Sequence, residues 1–176
     1  LMTPPISWLI IGQFLKINQL EVEMRRVTTF DPLTGLFNRH AFMERAVYAF
    51  DLAAREGFDI SVLLVDLDHF KSINDKFGHA SGDRVLTIFG SLITPIIRKS
   101  DVVGRLGGEE FAFLLPNASE EQAWKFSERL HEAVNQTVFE HDEHAIRLTM
   151  SIGIVTLPKD TAGNIEKMLS MADTAM

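Results

Sequence analysis

The stretch Arg105-Leu106-Gly107-Gly108-Glu109-Glu110-Phe111 constrains the fold more than any other part of the chain. Val102-Val103 leads into it and Phe111-Ala112-Phe113-Leu114-Leu115 leads out, so a glycine pair joins two apolar runs. Glycine takes the positive φ angles of a tight turn without steric cost, and the pattern predicts a β-hairpin over 101–116. The missing side chains also clear the space above the turn, where a bulky planar ligand has room. Glu109 and Glu110 stand beside that platform. Two adjacent carboxylates next to hydrophobic strands are costly unless something positive joins them. The competing reading is a solvated turn with surface charges.

A second segment favours the first reading. Ser61-Val62-Leu63-Leu64-Val65-Asp66-Leu67-Asp68 is a β-rich apolar run that ends abruptly in two aspartates one residue apart. Hard oxygen donors at a strand end suit Mg2+, which is held by one or two carboxylates plus substrate phosphates. If the hairpin pairs beside this strand, Asp66 and Glu109 meet on one sheet edge, the arrangement of a metal-dependent phosphoryl or nucleotidyl transfer site. Asp68, just before His69-Phe70-Lys71, could instead only cap the next helix.

Around these motifs the sequence predicts strands followed by helices. Residues 38–55 have helical apolar spacing through Phe42, Ala46, Ala49, Phe50 and Ala53, with Gly57 as a stop before a strand over 60–67. A helix is expected over 81–97 through Val85, Ile88, Phe89, Leu92 and Ile96, interrupted near its end at Pro95. Ser119 with Gln122 makes a capping-box pattern for a helix to about 138 that turns Ala123, Phe126, Leu130 and Val134 inward. A strand over about 147–157 and a helix from Asn164 complete one α/β domain with a helix-covered sheet.

The first residues differ in kind. Trp8 to Leu15 is apolar but too short for a bilayer that needs roughly 20 helical residues, and no basic region or small-residue cleavage site marks a signal peptide. Ile10, Ile17 and Met24, with Gln13, Leu20 and Val27, form an a/d seam, so 1–28 is expected to be a helical stalk that pairs in parallel, or else a lone helix that packs on its own domain, and 29–176 the domain it carries. The start at Leu1, with Pro4-Pro5 just inside, leads to the expectation of a piece of a longer protein with an upstream sensor, in the membrane or outside it. A net charge of −7 gives no broad basic field for a nucleic acid polymer. The absence of cysteine removes disulfides and thiolate metal sites, in keeping with a reducing compartment.

The motifs together resemble the GGDEF family of diguanylate cyclases, here with glutamate at the third position of the signature. Asp31-Pro32-Leu33-Thr34-Gly35-Leu36-Phe37-Asn38-Arg39 looks like the family's opening motif. Asp66 to Asp75, followed by Phe77-Gly78-His79-Ala80-Ser81-Gly82-Asp83, looks like its nucleotide segment, and Ser151-Ile152-Gly153-Ile154 resembles its late strand. Four ordered motifs over about 28–176 make the resemblance specific. It implies a single nucleotidyl-cyclase-like domain of palm or ferredoxin-like architecture, with a central, mostly antiparallel sheet covered by helices. It also implies a magnesium-dependent enzyme, Mn2+ being the alternative ion, that condenses two GTP molecules into cyclic di-GMP and two pyrophosphates.

By the same resemblance Asp66, the Leu67 carbonyl, Glu109 and Glu110 hold metal, and Glu109 is the candidate to accept the 3′-hydroxyl proton. The His69 and Phe70 amides and Lys71 would meet the terminal phosphates, beside Gly107 and Gly108. Asn74 and Asp83 would read guanine, with His79 near ribose or base. A carboxylate that accepts from guanine N1–H and the 2-amino group rejects adenine. Arg98-Lys99-Ser100-Asp101 matches the family's RxxD inhibitory motif, placing Arg98 and Asp101, with Arg129 in support, around product cyclic di-GMP. Taken singly, each of these residues has a plainer reading: Lys71 as a solvated lysine, Asn74 as a cap, Asp83 as a helix-opening residue, His79 as a packed loop histidine and the RxxD as ordinary surface.

The family's closing helix normally continues past the stretch ending Ala172-Asp173-Thr174-Ala175-Met176 into a basic Tyr-x-Ala-Lys segment, so this chain is expected to bind GTP weakly or turn it over slowly. One GTP per site implies a homodimer with facing domains. The resemblance also implies a cytoplasmic catalytic domain, within a full-length protein anchored in the inner membrane if the sensor is membrane-bound. The alternative is a non-catalytic module that binds GTP or cyclic di-GMP for a partner.

Overall fold

A computed structural model of the chain describes residues 29–141, 144–159 and 161–176. The expectations of a helical stalk, a heptad seam and a non-spanning apolar segment fall on residues 1–28 and lie outside the described residues.

The elements follow in the order β1 (Phe37–Asn38), α1 (Arg39–Glu56), β2 (Ile60–Leu67), α2 (Phe70–Phe77), α3 (His79–Ile93), β3 (Val102–Gly107), β4 (Glu110–Pro116), α4 (Glu120–Gln136), β5 (Phe139–His141), β6 (His144–Ile146), β7 (Met150–Leu157) and α5 (Ile165–Ala175). The main sheet has five strands in the order β1-β3-β4-β2-β7, and every neighbouring pair is antiparallel except the short β1 with β3. Removing β1, α1, α5 and the separate β5–β6 hairpin, and counting α2 with α3 as one crossover, leaves the βαββαβ path of a ferredoxin-like sheet, as the resemblance implied.

Strand alternation sorts the core into two layers. Leu63, Val65, Phe111 and Phe113 point to the face covered by α3 and α4, where the tilted rings of Phe89 and Phe111 lie 4.6 Å apart and those of Phe126 and Phe113 5.5 Å apart. Val62, Ala112 and Leu114 point to the other face, against Phe42, Ala46 and Phe50 of α1 and Ile165 and Met168 of α5. The α5 backbone lies so close to β7 that a Cβ on Gly153 would overlap the Ala172 carbonyl. This contact sets the spacing between that helix and the sheet.

The capping signals act as expected. Asn38 accepts from the Ala41 amide, Gly57 closes α1 at φ 72°, Ser119 and Gln122 form the capping box of α4, and Asn164 accepts from the Lys167 amide. Three boundaries differ from the expectation. The helix expected over 81–97 runs from His79 to Ile93: Thr94 keeps helical backbone, but Pro95 has no N–H to continue the ladder, and the Ile96 amide turns back to the Ile93 carbonyl at 2.9 Å. The late strand begins at Met150 rather than near Arg147. Residues 147–149 belong to no strand, and His144–Ile146 are part of the separate β5–β6 hairpin, where Phe139 and Ile146 are paired and buried.

Candidate active site

The hairpin and the end of β2 meet as the paired motifs predict. The ladder puts Asp66 directly opposite Glu110, and the Leu67 amide donates to the Glu109 carbonyl at 3.3 Å. Because N–H and C=O of one residue in a strand point to the same neighbour, the Leu67 carbonyl is also directed toward the hairpin. The two central turn residues are Gly108 and Glu109, flanked by the pair Gly107 and Glu110, rather than the two glycines. Gly107 (φ 157°) and Gly108 (φ 48°) have no atom within 4 Å of where a Cβ would lie, so the platform is open.

Burial first, and then the charges of Glu109, Glu110 and Asp68, push the Asp66 carboxyl above its ordinary value. Asp66 is half-buried, and among the described residues no lysine or arginine forms an ion pair with it, Glu109 or Glu110. An all-oxygen set of repelling carboxylates fits a hard divalent cation. The described residues bring no three acidic or histidine side chains close enough to hold an ion alone, so substrate oxygens would have to complete the shell.

Arg105 braces the turn from below. Its Nε and Nη2 donate to the Gly108 carbonyl at 3.0 and 2.8 Å, and its Nη1 reaches both carboxylate oxygens of Asp31 at 3.3 and 3.2 Å. Asp31 in turn accepts from the Thr34 amide and hydroxyl at 2.8 and 2.7 Å. Burial would raise the Asp31 carboxyl, but the Thr34 hydrogen bonds and the Arg105 charge outweigh it and hold the group below its ordinary value. The opening motif thus clamps the signature turn. Sequence reading noted both segments but not their connection; the arginine directly preceding Leu106-Gly107-Gly108 was the available signal.

Beyond β2, His69 takes a left-handed backbone (φ 58°) and starts α2 without a side-chain cap. That backbone costs a non-glycine residue about 1–2 kcal/mol and leaves the first amides of α2, from Phe70 and Lys71, free of a side-chain acceptor. Phe70 is buried as an anchor, while His69 and Lys71 are exposed. Asp68 does not cap α2; its carboxylate accepts from the Ser151 hydroxyl at 2.8 Å, a partner in β7 that sequence reading missed.

Asn74 and Asp83 come together where α2 meets α3. A Cβ on Gly82 would overlap the Asn74 side-chain oxygen, so this glycine lets Asn74 rest against α3 one residue from Asp83. Asn74 is half-buried, Asp83 and His79 are exposed, and the Asp83 carboxylate has no hydrogen-bond or ion-pair partner among the described residues. His79 is the first residue of α3, not a packed loop residue.

Arg98 and Asp101 close one turn, with the Asp101 carboxylate accepting from the Arg98 amide at 2.7 Å. Asp101 also lines a groove of about 550 Å³ beside Arg45 and Tyr48 of α1. Arg129 lies elsewhere, on α4 with its guanidinium over Phe126, and no hydrogen bond or ion pair among the described residues joins it to Arg98 or Asp101.

Comparison with known proteins places this geometry. The family model described as diguanylate cyclase, GGDEF domain matches residues 28–176. The diguanylate cyclase DgcP of Pseudomonas aeruginosa is 38% identical over 159 residues, covering 90% of this chain and 23% of that protein. The cyclic di-GMP phosphodiesterase NbdA of the same organism is 36% identical over 163 residues, 91% of this chain and 21% of that protein. The chain therefore spans less than a quarter of these two relatives. Among solved structures, the coiled coil and GGDEF domain of DgcB from Caulobacter crescentus, in complex with c-di-GMP, superposes with a TM-score of 0.84 at 25% identity, covering 98% of this chain and 92% of that one. The acidic end of β2, the open glycine turn and the family match over residues 28–176 lead to one conclusion: the chain belongs to the GGDEF family.

Proposed function

We propose that this chain is the catalytic domain of a diguanylate cyclase, joining two GTP molecules into cyclic di-GMP with release of two pyrophosphates. The observation that carries the reading is the carboxylate cluster of Asp66, Glu109 and Glu110, without a cationic partner among the described residues, beside the open platform of Gly107 and Gly108.

Asp66, the Leu67 carbonyl, Glu109 and Glu110 would hold Mg2+, or Mn2+ in its place. The bound ion would neutralise charge developing on the α-phosphate and lower the pKa of the attacking hydroxyl. In each half-reaction a ribose 3′-oxygen attacks the α-phosphorus of the facing GTP, a P–O bond forms, the bond to pyrophosphate breaks and the hydroxyl proton departs. Glu109, in the turn at the edge of the platform, is the acceptor for that proton.

The His69 and Phe70 amides, with the Lys71 ammonium, bind the terminal phosphates. Asn74 and the partnerless Asp83 accept from the guanine edge, with His79 beside them. The ring closes only when two domains face each other, so the working unit is a homodimer. An upstream sensor, in the membrane or not, would act by changing how often the domains meet. Product bound at Arg98 and Asp101 restrains turnover, with Arg129 entering from α4. The described residues contain no helix long and apolar enough to cross a membrane, and the domain would work in the cytoplasm, where GTP is available.

Incubation with GTP and Mg2+ followed by chromatography tests the reading. Cyclic di-GMP should form, and should be lost with EDTA or in Glu109→Gln. Binding of GTP or cyclic di-GMP without turnover would instead support a signalling module.

A further inference from the structure

Among the described residues, β7 ends the five-stranded sheet and pairs only with β2. The Asp68 amide donates to the Thr149 carbonyl at 3.0 Å, which fixes the alternation along the strand. Residues 149, 151 and 153 direct their backbone groups toward β2, and Met150, Ile152 and Ile154 direct theirs outward. His131 Nε2 lies 3.2 Å from the outward Met150 carbonyl. Beyond that contact, the outward N–H and C=O groups of Ile152 and Ile154 have no strand beside them among the described residues.

These residues form one wall of a groove of about 550 Å³ whose other wall is a single stripe of α4, running through Trp124, Glu128, His131 and Asn135. The stripe is about 16 Å long at 1.5 Å per helical residue, matching about five residues of extended chain at 3.3 Å each. Trp124 is 61% exposed at the end of the groove beside Ile154, an unusual position for a large aromatic without a partner. Glu128 and Glu132 also line the groove, and among the described residues no lysine or arginine does.

We propose that this groove takes an extended, Lys- or Arg-bearing segment of a partner protein as an added strand on β7. Its backbone pairs with Ile152 and Ile154, its groove-facing basic side chains meet Glu128 and Glu132, and an apolar side chain rests on Trp124. A second copy of the chain is the poorer occupant, because two such edges would bring Glu128 and Glu132 of both copies together. The groove is formed by none of the residues assigned to metal, GTP or product, so the proposal stands apart from the cyclase reading.

The test titrates the whole chain with an acetylated, amidated peptide of about five residues that alternates Lys and Val and ends in Phe, a length set by the strand rise. Trp124 fluorescence and the amide resonances of Ile152 and Ile154 are followed. Saturable binding that shifts those two amides is expected. It should weaken about tenfold in the charge-reversed variant Glu128→Lys, Glu132→Lys and vanish when Glu replaces Lys in the peptide. Cyclic di-GMP formation should be unchanged in that variant. Absence of saturable binding, equal binding of the acidic peptide, shifts confined to other amides, or self-association through β7 would each overturn the proposal.

Discussion

Asp66 on β2 and Glu110 on β4 stand opposite each other at the last rung of the ladder, so two carboxylates share one end of one sheet. Neighbouring strands bring directly opposed side chains within about 5 Å of each other, and like charges there repel. The sheet holds them together because Val65, Phe111 and their neighbours bury the rungs just inside.

That repulsion predicts a stability gain on neutralisation. Asp66→Asn in the absence of divalent cations should stabilise the domain at neutral pH by up to about 1 kcal/mol after solvent screening, raising Tm by about 2–4 °C. Mg2+ should raise the Tm of the wild type and leave the variant unmoved, while the variant loses cyclase activity. A thermal melt with and without the ion reads both effects.

The clamp between Arg105 and Asp31 predicts the opposite sign. Asp31→Asn should cost about 1–2 kcal/mol, the value of hydrogen bonds to a charged group, and lower Tm by about 2–8 °C. The folded carboxyl lies below its ordinary value of 3.8, so its contribution is present above that pH and is lost as pH falls through the lower folded value. Unfolding curves of wild type and variant should therefore differ at neutral pH and converge in acid.

Arg105 also positions the turn through the Gly108 carbonyl. Arg105→Lys keeps the charge but not the fork that reaches both partners, and turnover should fall about 10–100-fold while the protein stays folded. Steady-state kinetics beside circular dichroism checks this.

The hairpin and the helices over Phe42, Phe126 and Val134 were legible because each rests on short-range periodicity or a cap, whereas the meeting of the hairpin with β2 entered only as a condition joining two acidic motifs. The clamp was not, since Arg105 and Asp31 lie 74 residues apart and nothing local pairs them. The bond from Ser151 to Asp68 was hidden for the same reason, at a separation of 83 residues. β5 and β6 escaped because strands of three residues carry no period to read. The limit of α3 was misjudged because apolar spacing continues through Ile96 while Pro95 supplies no N–H to extend the hydrogen-bond ladder.

Asp83 carries the base selection in this account. Asp83→Ala should reduce the ratio of kcat/KM for GTP over ATP by about 10–100-fold, the discrimination of one bidentate base contact. An unchanged ratio would move recognition to Asn74 or elsewhere.

Gly153 fixes the approach of α5. Gly153→Ala drives a methyl group into the Ala172 backbone and should cost about 1–3 kcal/mol in urea unfolding.

The most direct test of the central claim is the rate of cyclic di-GMP formation from GTP and Mg2+, per mole of protein, across a wide dilution series with product identity checked at each point. The account predicts cyclic di-GMP as the product and a specific activity that rises with protein concentration as domains begin to face each other. A linear dinucleotide, no product, or a specific activity independent of concentration would contradict it.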